Sequence, residues 1–408
     1  HAESIQNPPF EYSPAIRHEW HALTAWSVVP SDAATGAVSI AEAAPLNPHN
    51  PHYAVLAAPA TGGVVGLRNE GFDGIPVQAG SSYVFSVFAR QLTGQAAPLR
   101  VRLEGKDGAV LGEAVLPAPG AQWARSEATL QAMATDPAAR LVLLAAGPGQ
   151  VAVDMVSLFP RATFRGRANG LRADLAQAIA DLQPKFMRFP GGCLAHGDGL
   201  ANMYRWKDTV GPVEQRRGQR NIWRYHQSVG LGYFEYFQFC ADIGAQPLPV
   251  VPAGVCCQNS HTGGKGQRGL PLEEMPAYIQ EVLDLVEWAN GPATSRWGAV
   301  RAAAGHPAPF GLKYLVVGNE DEITPVFRER YALIEAAVRA RYQELTVIGT
   351  VGPFPDGRDF EAGWQIAREL KVAMVDEHYY RSPDWFWKNL GRYDRYDRAG
   401  SAVYVGEY

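Results

Sequence analysis

Leu312-Lys-Tyr-Leu-Val-Val-Gly-Asn-Glu320 is the stretch from which the rest of the chain can be read. Five of its first six residues are apolar or aromatic, the pattern of a strand buried on both faces of a parallel sheet. The apolar run stops at Gly318, Asn319 and Glu320. A carboxylate at the C-terminal end of a buried strand adds nothing to packing, whereas in a (β/α)8 barrel that end carries the catalytic residues. A second strand of the same design, Ser401-Ala-Val-Tyr-Val-Gly406, runs into Glu407. Taken singly, Gly-Asn-Glu is equally a turn and Glu407 an exposed residue. Together, in one alternating α/β frame, they predict a pair of catalytic carboxylates.

At 408 residues the chain exceeds one ordinary core, so two domains are expected. Its 47% hydrophobic and 19% charged content is that of a globular protein. A net charge of −4, from 37 basic and 41 acidic residues, argues against nucleic acid or an anionic membrane as partner. No run approaches the roughly 18 apolar residues of a membrane span. Aromatics at 11% suit sugar-binding surfaces and large cores alike. The four cysteines, Cys193, Cys240, Cys256 and Cys257, include no CxxC pair, which argues against structural zinc. No metal and no other cofactor is expected. Cys193 and Cys256 both follow predicted strand ends on one face, where they either meet or remain buried free thiols.

Residues 1–160 read as β-rich. Segments such as Tyr83-Val-Phe-Ser-Val-Phe-Ala-Arg90, Leu99-Arg-Val-Arg-Leu103 and Arg140-Leu-Val-Leu-Leu144 are separated by Gly, Pro, Asp and Asn turns. Connections this short predict an antiparallel β-sandwich behind an extended lead-in. From 161 to 408 the texture is strand-helix alternation. A helix at Asp174–Leu182 places Leu175, Ile179 and Leu182 on one face. Six strands follow, near Phe186–Phe189, Pro247–Val251, Leu312–Val317, Leu345–Gly349, Val372–Val375 and Ala402–Val405, separated by five helices. Repeated βα units with one active face predict a (β/α)8 barrel. The rival, a doubly wound open sheet, lacks a Gly-rich phosphate loop after any strand. A barrel needs eight strands. The six present are read as strands two to seven, with the first expected upstream of residue 1 and the eighth beyond residue 408.

On this count Glu320 ends strand four and Glu407 strand seven, which face each other across the barrel mouth. Retaining glycosidases need two carboxyl groups about 5–5.5 Å apart. Arg188 on strand two either pairs with a carboxylate in the barrel or contacts substrate. The Pro190-Gly-Gly192 turn beside it lets substrate approach the backbone. A period of two places Asp376, His378 and Tyr380 in one phase at the end of strand six. Trp206 is either a sugar-stacking platform or a loop anchor.

The segments Arg188-Phe-Pro-Gly-Gly-Cys193, Tyr204-Arg-Trp-Lys-Asp208 with Gly211-Pro212, Val317-Gly-Asn-Glu320, Asp376-Glu-His-Tyr-Tyr380 and Gly406-Glu-Tyr408 occur in the order seen in glycoside hydrolase family 51. The opening Ala2-Glu-Ser-Ile-Gln-Asn7 with Phe10-Glu11 resembles that family's text just after its first barrel strand. The similarity runs from residue 1 to 408 and is weakest in the sandwich. It is to the α-L-arabinofuranosidases of the sandwich-containing bacterial and plant branch. The resemblance implies Glu320 as general acid/base, Glu407 as nucleophile and Asn319 on the sugar 2-hydroxyl. Arg188, His378 and Tyr380 would line the −1 subsite, and Cys193 stands where many relatives carry Asn. The family's Glu at the end of strand one has no counterpart in this sequence, nor has its usual C-terminal β-sandwich. The implied activity is release of terminal α-L-arabinofuranosyl groups from arabinan, arabinoxylan or small glycosides, with the N-terminal sandwich a carbohydrate-binding-module-like domain. An endo-β-1,4-glucanase of the same family and a non-catalytic carbohydrate-binding fragment are the alternatives. The expected partner is an arabinose-containing oligo- or polysaccharide, with room for a homo-oligomer or a complementing chain segment. A secreted or periplasmic location is favoured.

Overall fold

The computed structural model describes residues 1–29, 36–59, 63–95, 97–261 and 266–408. Its described residues form two compact units. One takes His1–Asp181 with Pro212–Gly218 and Arg224–Gly230; the other takes Leu182–Gly211, Gln219–Trp223 and Leu231–Tyr408.

The first unit holds two antiparallel sheets. One runs in the order Ala37–Ala41, Tyr53–Ala58, Gly149–Pro160, Ser82–Gly94, Ala124–Gln131. The other runs Trp26–Val29, Val64–Asn69, Asp136–Ala146, Leu99–Glu104, Val110–Leu116, with Ile75–Val77 on the Asp136 strand. Alternation drives the packing: Leu99, Val101 and Leu103 are buried while Arg100 between them is exposed. Tyr83, Phe85, Val87 and Ala89 do the same from the other sheet, and both sets join one core. The helix expected at 174–182 forms at Ala173–Asp181, yet Leu175 and Ile179 are exposed and only Ala176 is buried. An amphipathic pattern specifies which face is apolar, not what covers it.

The second unit is built on six parallel strands, β1 (Phe186–Phe189), β2 (Gln246–Val251), β3 (Tyr314–Val317), β4 (Thr346–Thr350), β5 (Met374–His378) and β6 (Ala402–Glu407). They pair in chain order. A doubly wound sheet would reverse its order at a switch point; this one does not. The sheet also curls. Inward side chains Leu248, Val250, Val316 and Ile348 share one core with Tyr314, Met374 and Tyr404. Phe186 on β1 meets Tyr404 on β6 ring to ring at 5.5 Å, although five strand steps separate them along the sheet. Among the described residues β1 pairs only with β2 and β6 only with β5.

The connecting helices are α1 (Tyr233–Ile243), α2 (Met275–Asn290), α3 (Arg296–Ala303), α4 (Pro325–Arg341), α5 (Arg358–Leu370) and α6 (Pro383–Lys388). The start of α4 shows why such helices begin where they do. Thr324 Oγ1 accepts the Phe327 N–H at 3.1 Å and Pro325 opens the first turn. Phe327, Tyr331, Ile334 and Val338 then bury one stripe. Two differences from expectation stand out. Helix α3 has no strong periodicity and went unanticipated, and β5 extends to His378, so Asp376 and His378 are strand residues with inward positions.

Candidate active site

Each strand end delivers its polar residues through a local device. After β3, Gly318 takes φ +86, and a Cβ there would lie 2.5 Å from Asp321 Oδ2 and 2.8 Å from Thr350 Cγ2. Only glycine allows that turn. Asp321, wholly buried, closes it by accepting the Asn319 N–H at 2.9 Å. Burial pushes the Asp321 carboxyl up to about 7 against the opposing pull of His196. Glu320 follows at φ +50, a conformation costing a non-glycine residue roughly 1–2 kcal/mol. At the end of β6, a Cβ on Gly406 would sit 2.9 Å from Asp376 Cγ, so β5 and β6 approach as closely as they do only without a side chain there. A register shift between Glu377 and His378 sets Glu407 beside His378.

These devices bring Arg188, Asn319, Glu320, His378, Tyr380 and Glu407 together. Arg188, nearly buried on β1, donates from Nη1 to Glu407 Oε1 at 2.8 Å and from Nη2 to Asn319 Oδ1. Asp376 Oδ2 stands 3.6 Å from the same guanidinium. His378 Nδ1 lies 2.9 Å from Glu320 Oε1 and 3.8 Å from Glu407 Oε2, and its Nε2 lies 3.2 Å from Asp376 Oδ2. The Tyr380 hydroxyl donates to Glu407 Oε2 at 2.7 Å. An oxygen of Glu320, an oxygen of Glu407 and a His378 nitrogen all fall within 4.8 Å of one another.

The two carboxylates are held differently. Glu407 has a guanidinium on one oxygen and a phenol on the other. Glu320 has an imidazole on Oε1, and its Oε2 has the Cys193 sulfur at 4.0 Å as its hydrogen-bond contact among the described residues. Burial works against charge on His378, but hydrogen bonds to Asp376 and Glu320 outweigh it and raise the imidazole to about 9. The bond to Glu407 pushes the Tyr380 phenol up to about 12. Behind β5, Glu377 accepts from Trp364 Nε1 at 2.8 Å and from the Tyr396 hydroxyl at 2.9 Å, which locks the strand from its other face.

Two expectations need correction. Trp206 is 2% exposed; its ring packs on Trp297 and Trp288 and its Nε1 donates to Glu281 O at 2.9 Å. No face is left for a sugar, so Trp206 anchors its loop. An exposed aromatic ring beside the site is Trp223, over the Gly191–Gly192 turn, 3.9 Å from where a Gly192 Cβ would stand. Nothing in its sequence neighbourhood singles it out. The second correction is to the cysteines. Cys193 meets Cys257, not Cys256, and His196 joins them. Adjacent residues of extended chain point opposite ways: the Cys256 sulfur accepts the Arg268 N–H at 3.3 Å and faces Gly266 O instead. All four thiols are free. Beside Cys193, and with His196 working against burial, the Cys257 thiol is drawn down while Cys193 is pushed up.

A family profile described as Alpha-L-arabinofuranosidase 1 domain matches residues 178–398. Over its whole length the chain is 44% identical to the extracellular exo-alpha-L-arabinofuranosidase of Streptomyces chartreusis, covering 48% of that protein. It is 36% identical to alpha-L-arabinofuranosidase 1 of Arabidopsis thaliana, over 85% of this chain and 48% of the relative. A solved arabinose-bound MgGH51 α-L-arabinofuranosidase aligns with a TM-score of 0.86 at 30% identity, over all of this chain and 63% of that one. The chain thus spans about half the length of these curated relatives.

Proposed function

Because the chain belongs to the α-L-arabinofuranosidases of glycoside hydrolase family 51, we propose that it releases terminal α-L-arabinofuranosyl groups by a retaining double displacement. The observation that carries this is the close, unequally partnered pair Glu320 and Glu407. One oxygen of each carboxylate approaches the other within 4.8 Å, closer to the roughly 5–5.5 Å carboxyl spacing of a retaining pair than to the roughly 6.5–9.5 Å of an inverting one. Glu407 attacks the anomeric carbon while Glu320 protonates the departing glycosidic oxygen. The glycosyl ester on Glu407 is then cleaved by water, whose proton passes to Glu320. Arg188 and Tyr380 hold the nucleophile's oxygens in line. Asn319 is wholly buried, its Oδ1 held by Arg188 and its Nδ2 without a partner among the described residues.

The substrate class on this reading is arabinan, arabinoxylan or a related glycoside. A secreted location follows the extracellular name of the Streptomyces relative, and no described helix is long and apolar enough to cross a membrane. Six parallel strands in chain order support a (β/α)8 barrel over residues 161–408. The two facing antiparallel sheets support a carbohydrate-binding-module-like β-sandwich over residues 1–160.

Glu320→Ala should lose about 10²- to 10⁴-fold in turnover of poor leaving groups and much less on an activated aryl α-L-arabinofuranoside. Azide should restore Glu320→Ala with retained anomeric configuration and Glu407→Ala with inverted configuration. Equal losses on both leaving groups, or exchanged stereochemistry, would reverse or remove the assignments. Turnover of a cello-oligosaccharide in place of the arabinofuranoside would favour the glucanase alternative.

A further inference from the structure

We propose that Cys193, His196 and Cys257 form a binding site for a thiophilic divalent cation of the Zn²⁺ class, with Glu320 placed to complete its coordination. Binding there would take the acid/base out of service. The site itself stands on the geometry of three side chains, with Glu320 4.0 Å from one of them; its effect on turnover rests on the function proposed above.

The ligand atoms of Cys193, His196 and Cys257 already lie within 4.8 Å of one another. Tetrahedral zinc with Zn–S near 2.3 Å and Zn–N near 2.0 Å requires ligand atoms roughly 3.5–3.8 Å apart, so inward shifts of about 1 Å or less close the set. The imidazole is prepared for the role. His196 is wholly buried, and its Nε2 lies 2.6 Å from Asn319 O. A carbonyl oxygen only accepts, so Nε2 carries the hydrogen. Against its burial, Cys257 and Asp321 raise the imidazole, and a bound cation would take the place of the second proton at Nδ1. Nδ1 has no hydrogen-bond partner among the described residues. A ring nitrogen fixed by a backbone carbonyl, with the opposite nitrogen free, is the arrangement that orients ligating histidines.

The sulfurs complement it. Cys257 is buried and its sulfur accepts the Asn259 N–H at 3.4 Å, a contact that favours thiolate. Cys193 is partly exposed and provides the route of entry. Its sulfur is 4.0 Å from Glu320 Oε2, the oxygen that His378 does not occupy. Two thiolates, an imidazole and a carboxylate select zinc-like ions over magnesium or calcium. The proposed hydrolysis uses neither sulfur as nucleophile or proton carrier, so nothing in it accounts for this trio.

The test uses reduced, chelator-treated protein titrated with Co²⁺. One equivalent should bind with a near-ultraviolet thiolate-to-cobalt charge-transfer band, and Zn²⁺ should displace it. The band should vanish in Cys257→Ser and persist in Cys256→Ser. In the wild-type protein, where folding is not in question, Zn²⁺ should shield Cys193, the one partly exposed thiol, from alkylation. Absence of the band, its survival in Cys257→Ser, or unchanged alkylation of Cys193 would overturn the site. Zn²⁺ should also lower arabinofuranoside turnover at least tenfold; binding without inhibition would overturn the role of Glu320. Absorbance and alkylation need no substrate, so a protein without arabinofuranosidase activity would sink the proposed function and leave the site to be decided by these readings.

Discussion

Raising the pH from 6 to 10 should remove roughly 3 kcal/mol of folding stability through His378 alone. The imidazole is 2% exposed, with Asp376 Oδ2 at 3.2 Å on one side and Glu320 Oε1 at 2.9 Å on the other. Those carboxylates raise it to about 9 in the folded chain, against about 6.5 in an unfolded one. A group whose folded value is raised stabilises the fold fully below the unfolded value and loses that contribution as pH climbs through the folded one. The difference of about 2.5 units, at 1.36 kcal/mol each, is about 3.4 kcal/mol. About half remains near pH 7.8, and about 0.4 kcal/mol at pH 9. Other groups titrate over this range, so the measurement is a difference: denaturant unfolding of wild type and His378→Gln at half-unit pH steps. The stability gap between them should shrink by about 3 kcal/mol from pH 6 to 10. NMR titration of ¹⁵N-labelled histidine should place His378 well above 6.5. A pH-independent gap, or titration of His378 near its ordinary value, would refute the reasoning.

Further perturbations separate packing from chemistry. Gly406→Ala puts a methyl against the buried Asp376 carboxylate, so calorimetry should show a lower Tm, and turnover should fall as Glu407 is displaced. Tyr380→Phe removes the 2.7 Å bond to Glu407; a hydrogen bond to a charged group contributes about 1.5–3 kcal/mol, so kcat/KM should drop about 10- to 100-fold with little change in Tm. Trp206→Ala should cost about 3–5 kcal/mol of stability and leave KM unchanged in the surviving folded fraction. Trp223→Ala should do the reverse, raising KM for longer oligosaccharides while unfolding at the wild-type denaturant concentration.

What the sequence determined by itself is what depends on short spacing. Strand period, the halt of the apolar run at Gly318, and the alternation that puts Asp376 and His378 on one face are local, and they located both carboxylates and the direction of β5 and β6. The order of the six parallel strands followed from the same alternation of elements, because βα units pack beside their chain neighbours. The tertiary structure decided whatever depends on which distant surfaces meet. Trp206 became a buried anchor because α2 and α3 bring Trp288 and Trp297 to its ring. Leu175 and Ile179 stayed exposed because an apolar stripe does not specify its own cover. Cys193 was matched with Cys257 and not Cys256 by the orientation of two adjacent side chains, where a one-residue step reverses the face. Arg188, far from Glu407 in the chain, reaches it only because the sheet curls until its first and last strands touch. Curvature of a sheet comes from the sum of its strand twists and the volume of the side chains inside it, and no single stretch of sequence carries that sum.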